Sequence, residues 1–419
     1  MLSPRTGYFT TSYRSRVDDS EQPFAMWVPR CYSRRRAWPL VVALHGMDGD
    51  ERMIPEQCFR MHERGFREDV IVVCPFGRGD IGFRYMGETD FWDVVNWVRD
   101  TYRVDARRQY LTGLSMGGFA TWRLACKYPA QWAATAPVCG GGSRSALASL
   151  RAPVWCVHGD RDELVPVEHS RKLVAELRRL KRRVRYDELA GWGHNSWDWL
   201  YDPARGRDSL VGWLLRHRRA TPARRVREPR REGGFKDLFH DRLIISCPAA
   251  TPIPREVGLL RAEAERIAEF KFGEYPMRSG RLLVKTDAEL TRKDLAEASH
   301  LMLGRTDNHH WLGAAARKLL ARHAKGTLRV AGEPWLGKSL LAATRQPSPW
   351  NPARQLGIIT YQQVHAMQGA GGLFCGWNHE LKDVNLYDTE QQRFIRQFTP
   401  APPRATVGNG TARRRRASA

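Results

Sequence analysis

Residues 111–118 read "LTGLSMGG". Gly-x-Ser-x-Gly at 113–117 acquires meaning from its neighbours, because apolar "QYLT" before it has strand character and "GFATWRLACKYP" after it has helical spacing. A strand that turns sharply into a helix exposes whatever residue stands at the corner. Gly113 and Gly117 remove the Cβ atoms that such a turn would bring into collision, and Ser115 is left with its hydroxyl at the tip.

A serine hydroxyl is a poor nucleophile unless a base takes its proton, so an acid and a histidine are sought downstream, in the order Ser, acid, His. "VWCVHGDRDELVP" (154–166) ends a strand-like run and offers Asp160 and Asp162; "LAGWGHNSW" (189–197) follows the next such run and offers His194. Loops at the carboxyl ends of successive parallel strands converge on one edge of a sheet, where three distant residues can meet. Trp192 and Trp197 flank His194, either as an aromatic wall for an acyl or aryl group or as packing for the loop.

Outward from this core, "PLVVALHG" (39–46), "VIVVCPFG" (70–77), "QYLTGLS" (109–115), "WAATAPVCG" (132–140), "PVWCVHGD" (153–160) and "RVRYDELA" (183–190) are expected strands. "DFWDVVNWVRDTY", "GGFATWRLACKYP", "VEHSRKLVAELRRL" and "SLVGWLLRHRR" are expected helices. Strands alternating with helices predict an α/β class with a mostly parallel sheet over residues 1–217. A basic linker at 218–234 precedes a second, smaller α/β domain at 235–400 and a disordered basic tail at 401–419. In the second domain "DRLIISCP", "GRLLVKTD", "HLMLGRT" and "QLGIITY" are expected strands. "REVGLLRAEAERIAEFKF" and "TRKDLAEAS" are expected helices, the latter capped by Thr291 with Asp294 three residues on.

"LHGMDGDE", "YLTGLSMGGFATWRLACKYP", "APVCGG", "HGDRDELVP" and "GWGH" together resemble polyhydroxybutyrate-depolymerase-like and feruloyl-type esterases of the α/β-hydrolase superfamily. Dienelactone hydrolases and prolyl oligopeptidase catalytic domains are relatives of that group. The resemblance spans about residues 20–200 and implies an α/β-hydrolase fold. It implies Asp162 as the acid, leaving Asp160 as a loop residue. It also implies an oxyanion hole formed by the backbone N–H groups of Met116 and Met47. Gly77, Arg78, Gly79, Gly87 and Asp90 repeat a further stretch of the family, with loop and helix-cap roles expected. The activity implied is hydrolysis of a small-molecule or oligomeric carboxylic ester by Ser115, His194 and Asp162, with no metal and no cofactor. A prolyl-oligopeptidase-like peptidase is the alternative, disfavoured because only some thirty residues precede the hydrolase segment. A binding protein on a hydrolase scaffold is the rival of a different class.

Composition narrows the partners. The chain has 419 residues, 42% of them hydrophobic, with fifteen tryptophans, enough for packed cores. No apolar run reaches the roughly 18–20 residues of a membrane span, and the start lacks an apolar leader, so a soluble, cytoplasmic protein is expected. The net charge is +23, but residues 216–231 carry +7 and residues 400–419 another +5. With about half the charge in linker and tail, specific nucleic-acid binding is not expected, only salt-sensitive contact with polyanions. The eight cysteines lack a C-x-x-C pair and suit buried free thiols.

Two stretches tempt other readings. "GEPWLGKS" (332–339) matches the phosphate-loop pattern letter for letter. Pro334 removes a backbone donor, Trp335 adds bulk, and no strand ending in a magnesium-holding Asp follows, so a hairpin or loop is expected, leading into the helix suggested by "SLLAATRQ". "TDNHHWLG" (306–313) holds adjacent His309 and His310, but neighbouring side chains diverge and no cysteine or carboxylate set accompanies them.

Overall fold

The computed structural model describes residues 5–400 except 65, 203, 205–208, 270, 273–274, 277, 371–372 and 374–379; the expected tail at 401–419 lies outside the described residues. The first sheet orders its eight strands β1-β2-β4-β3-β5-β6-β7-β8. They are β1 Gly7–Arg14, β2 Glu21–Val28, β3 Trp38–Leu44, β4 Ile71–Pro75, β5 Val104–Leu114, β6 Ala134–Val138, β7 Val154–Gly159 and β8 Val184–Leu189. β1 and β2 form an antiparallel hairpin and β2 runs antiparallel to β4; the others are parallel.

Alternation along the strands builds two cores. Leu40, Val42 and Leu44 join one cluster and Val41 and Ala43 the other, as the two-residue period of a strand requires. The first face is covered by helices α2 (Met86–Thr101), α3 (Met116–Lys127) and α4 (Glu168–Arg179). The opposite face is covered by α6 (Leu210–Leu215), with short α1 (Met61–Arg64) and α5 (Trp197–Tyr201) on surrounding loops.

The second sheet is mixed. β9 (Leu243–Cys247), β12 (Leu283–Thr286), β13 (Ser299–Leu303) and β18 (Gln355–Tyr361) are parallel, and β17 (Leu340–Pro347), β19 (Val384–Asp388) and β20 (Arg393–Phe398) continue it antiparallel. A small pairing of β10 (Lys271–Phe272) with β11 (Tyr275–Pro276) and a three-stranded sheet of β14 (Ala321–Ala324), β15 (Thr327–Val330) and β16 (Glu333–Trp335) complete the strands. The helices here are α7 (Pro254–Ala268), α8 (Arg292–Glu297) and α9 (His310–Ala315). Thr291 and Asp294 close a reciprocal capping box on α8.

The two halves are joined by an apolar core. Val17, Ile81 and Met86 of the first lie in one cluster with Phe235, Leu238, Leu282 and Tyr361 of the second. The basic segment 218–234 runs along α2 rather than away from it: Arg225 pairs with Asp100, Arg231 with Asp241, and Asn96 Nδ2 donates to the Val226 carbonyl. Its arginines therefore act as staples. Among the described residues no helix is long and apolar enough to cross a membrane, and the described cysteines are free thiols, Cys31 exposed and the rest buried.

Three expectations are corrected. "SLLAATRQ" is a strand, since β17 is paired on both sides, and QLGIITY is followed by two more strands. β1 and β2 were not anticipated. Asp90 lies inside α2 and is no cap, and Arg78, on the turn after β4 as expected, does more than turn the chain: fully buried, it is ion-paired with Asp18 and Asp90. The carboxylate of Asp90 also accepts from Tyr13 and Ser15, which locks the hairpin onto α2.

Candidate active site

Register brings the loops together. Leu44 of β3 stands opposite Gly113 of β5, so the 46–49 loop leaves the sheet beside the β5–α3 corner. Ser115 occupies that corner at φ 51° and ψ −117°, a left-handed conformation that costs a non-glycine residue about 1–3 kcal/mol. The neighbours leave no alternative path. A Cβ on Gly113 would lie 2.4 Å from the Gly117 carbonyl oxygen, and one on Gly117 would lie 2.1 Å from that of Leu44. The Ser115 N–H donates to the Val138 carbonyl (3.0 Å) and lies 3.3 Å from Cys139 Sγ.

Three side chains meet there. His194 Nε2 is 2.9 Å from Ser115 Oγ, and His194 Nδ1 is 2.7 Å from Asp162 Oδ2. Asp162 is buried, and its Oδ1 accepts from the N–H groups of Leu164 (3.0 Å) and Val165 (2.8 Å). Asp160 points away: its Oδ1 accepts the Gly191 N–H at 2.6 Å. The Arg161 N–H donates to the Trp192 carbonyl (2.9 Å), and a Cβ on Gly159 would collide with the Trp192 and Gly193 carbonyls. The acid loop and the histidine loop are thus stapled face to face, and Asp160 belongs to the staple.

Two supporting groups have no assigned role in the sequence. His158, wholly buried four residues before Asp162, lies with Nε2 3.1 Å from Asp162 Oδ2 and 2.9 Å from the Val165 carbonyl. Both partners accept, so Nε2 carries the proton and Nδ1 accepts from Ser170 Oγ at 2.7 Å. Burial lowers the His158 pKa and favours this neutral form. Cys139 lies within reach of Asp162 and His194, a grouping that resembles a metal site. Its chemistry argues otherwise: burial pushes the thiol far above its ordinary range, and both Asp162 oxygens are engaged in hydrogen bonds. The motif "HGDRDELVP" contains His158, but only the folded loop shows where its ring turns.

The chain Asp162–His194–Ser115 opens into a cavity of about 550 Å³ lined by Met47, Met53, Arg84, Leu114, Met116, Phe119, Arg123, Leu164, Val165 and Trp197. Trp197 also packs edge-on against the His194 ring at 5.3 Å. Trp192 is not among the lining residues; its side chain packs on the apolar cluster beneath the loop. Met116 is the first residue of α3, so its N–H has no acceptor within the helix. Met47 follows Gly46, where a Cβ would lie 3.5 Å from that of Ser115.

The other two stretches are structural. Glu333–Trp335 pairs with Leu328–Val330 across a turn at Ala331 (φ 50°) and Gly332 (φ 89°), Lys338 is exposed, and buried Ser339 donates to Asp388. His309 caps α9 and bonds to Ser246, and the His310 N–H donates to Asp287.

The strand order, the corner serine and the converging loops make an α/β-hydrolase fold. Residues 15–198 match the family model described as "Putative esterase". The chain is similar to a bifunctional acetylxylan esterase/xylanase of Neocallimastix patriciarum, 30% identical over 134 residues, which cover 30% of this chain and 20% of that protein. It thus spans about a fifth of that relative's length. Among solved structures it is similar to a thermostable esterase (28% identity, TM-score 0.44, 51% of this chain and 64% of the other). Another is a ferulic acid esterase of Anaeromyces mucronatus in complex with ferulic acid (16% identity, TM-score 0.40, 51% and 93%).

Proposed function

We propose that this protein hydrolyses carboxylic esters through an acyl-enzyme on Ser115. The observation that carries the reading is the unbroken chain from Asp162 through His194 to Ser115, at 2.7 and 2.9 Å, ending on a strained corner at the mouth of a cavity. Ser115 Oγ attacks the acyl carbon as His194 Nε2 takes its proton; His194 then protonates the departing alcohol, and water repeats the sequence to release the acid. Asp162 holds the imidazole with Nδ1 protonated and stabilises the imidazolium. The N–H groups of Met116 and Met47 receive the oxyanion, each such donor contributing on the order of 3 kcal/mol. The apolar lining with Phe119 and Trp197 favours an acyl or aryl group of a small or oligomeric ester.

A panel of acetyl, butyryl and feruloyl esters alongside prolyl peptides tests this. Esters should turn over, peptides should not, and Ser115→Ala should reduce ester turnover by at least about 10⁴-fold. Turnover that survives Ser115→Ala rejects the nucleophile, and cleavage of the peptides alone rejects the substrate class.

A further inference from the structure

The second domain reaches the candidate site through residues 278–280. The Arg278 N–H donates to the Arg78 carbonyl (3.1 Å), and Ser279 Oγ donates to Gln22 Oε1 (2.8 Å). Gly280, at φ 77°, passes so close to the first domain that a Cβ there would lie 2.2 Å from Asp18 Oδ2. The surface beneath is rigid, because Arg78 is buried between Asp18 and Asp90.

From that anchor the Arg278 guanidinium extends over the 46–49 loop. Nη2 donates to the Gly49 carbonyl, Nη1 lies 3.4 Å from the Asp48 carbonyl, and Nε is 3.3 Å from Asp80 Oδ2. The other oxygen of buried Asp80 accepts the Asp48 N–H at 2.8 Å. On the near side, the Gly46 carbonyl accepts the Gly49 N–H (3.2 Å) and lies 2.7 Å from His45 Nδ1. The peptide groups on both sides of Met47 are therefore held: Gly46 C=O from within the first domain, and the Asp48 and Gly49 groups by Asp80 and Arg278. Rotation of the Gly46–Met47 peptide would break both bonds at the Gly46 carbonyl, and movement of the rest of the loop would break those to Asp80 and Arg278.

We propose that Arg278 is a positioning residue of the hydrolase site, contributed by the second domain, which fixes the 46–49 loop so that the Met47 N–H faces the developing oxyanion. This rests on the serine-hydrolase reading given above. Arg278 touches neither substrate nor triad; it acts through the loop and Asp80. Preorganised donors lose most of their effect when displaced by about an ångström, so the loss should fall on the chemical step.

Steady-state kinetics of the full chain on p-nitrophenyl acetate, with the rate of fluorophosphonate labelling of Ser115, provide the test. In Arg278→Ala, kcat and the labelling rate should fall about 10- to 100-fold, with KM and melting temperature little changed. Arg278→Lys should recover only part, because one ammonium cannot span two carbonyls and a carboxylate. Wild-type kcat and labelling in Arg278→Ala overturn the proposal, as does a loss that appears in KM alone. Should Arg278→Ala fail to fold, Arg278→Lys decides: unchanged kcat overturns the proposal and reduced kcat at unchanged KM supports it. Wild-type labelling at Ser115 tests the underlying reading separately, since its absence rejects the serine hydrolase, whereas the clamp is read from the variant-to-wild-type ratio.

Discussion

At the scale of single residues, the two carboxylates of "DRD" have different work. Asp162 Oδ2 faces His194 Nδ1 and His158 Nε2, while Asp160 accepts one backbone N–H. An amide at 162 would present a donor to two donors and force the His194 proton onto Nε2, where it blocks the base. Asp162→Asn should therefore lower kcat by about 10²–10⁴-fold. Asp160→Asn keeps its acceptor oxygen and should stay within a few-fold of wild type. Equal losses, measured as kcat on one chromogenic ester, would falsify this division of roles. Ser115, Asp162 and His194, which the fold brings within hydrogen-bond distance, were legible as a set because each stands in a short pattern at the end of an apolar run. Arg278 and Asp80 were not: they are more than 190 residues apart and share no pattern, and only the docking of residues 278–280 brings them together. Trp192 shows the complementary limit, since proximity to His194 in sequence does not determine which way an indole turns.

At the scale of elements, the buried strands β3, β4, β6 and β7 and the end of β5 announced themselves as apolar runs, and the half-buried edge strand β8 was legible as well. The hairpin β1–β2 mixes polar and aromatic residues because its outer strand lies at the sheet edge, and it offers no such run. In "SLLAATRQ" a short apolar stretch fits either period, and only pairing with β18 and β19 decides for a strand. "GEPWLGKS" is the sharpest case, for the phosphate-loop letters span one strand of a hairpin and its exit. A phosphate loop wraps its ligand with successive backbone N–H groups, whereas here Glu333–Trp335 is committed to strand pairing. Lys338→Ala should accordingly leave ester turnover and melting temperature unchanged, and Mg-ATP should not raise the latter. A ligand at about a hundred times its Kd would stabilise the fold by roughly 2.7 kcal/mol, so a shift of several degrees that disappears in Lys338→Ala would restore the nucleotide reading.

At the scale of the whole molecule, buried histidines tie stability to pH. Burial drives His240 down to about 3 and His309 and His323 to about 4, and lowers His158 and His300 as well. In the unfolded chain these rings take up protons near pH 6.5. Between that value and their folded pKa values the unfolded state binds more protons, so stability falls as pH drops through this window. Glu88, held at about 2 despite burial by Arg123 and Lys127, adds the same sign below its ordinary range. Asp93, raised to about 6 by burial, and Glu51, also raised by burial, work in the opposite direction, two groups against several. Melting temperatures at pH 7 and pH 5 should differ, the lower value at pH 5. Equal values, or a rise on acidification, would contradict the neutral burial of these rings.

The central claim is that Ser115 carries the acyl group during turnover. Quenching the protein in acid during hydrolysis of a slow feruloyl or butyryl ester, followed by peptide mapping by mass spectrometry, tests it most directly. The expected result is the mass of the acyl group on the peptide containing Ser115, lost in Ser115→Ala. An acyl group on another residue, or ester turnover with no covalent adduct under any quench, would contradict it.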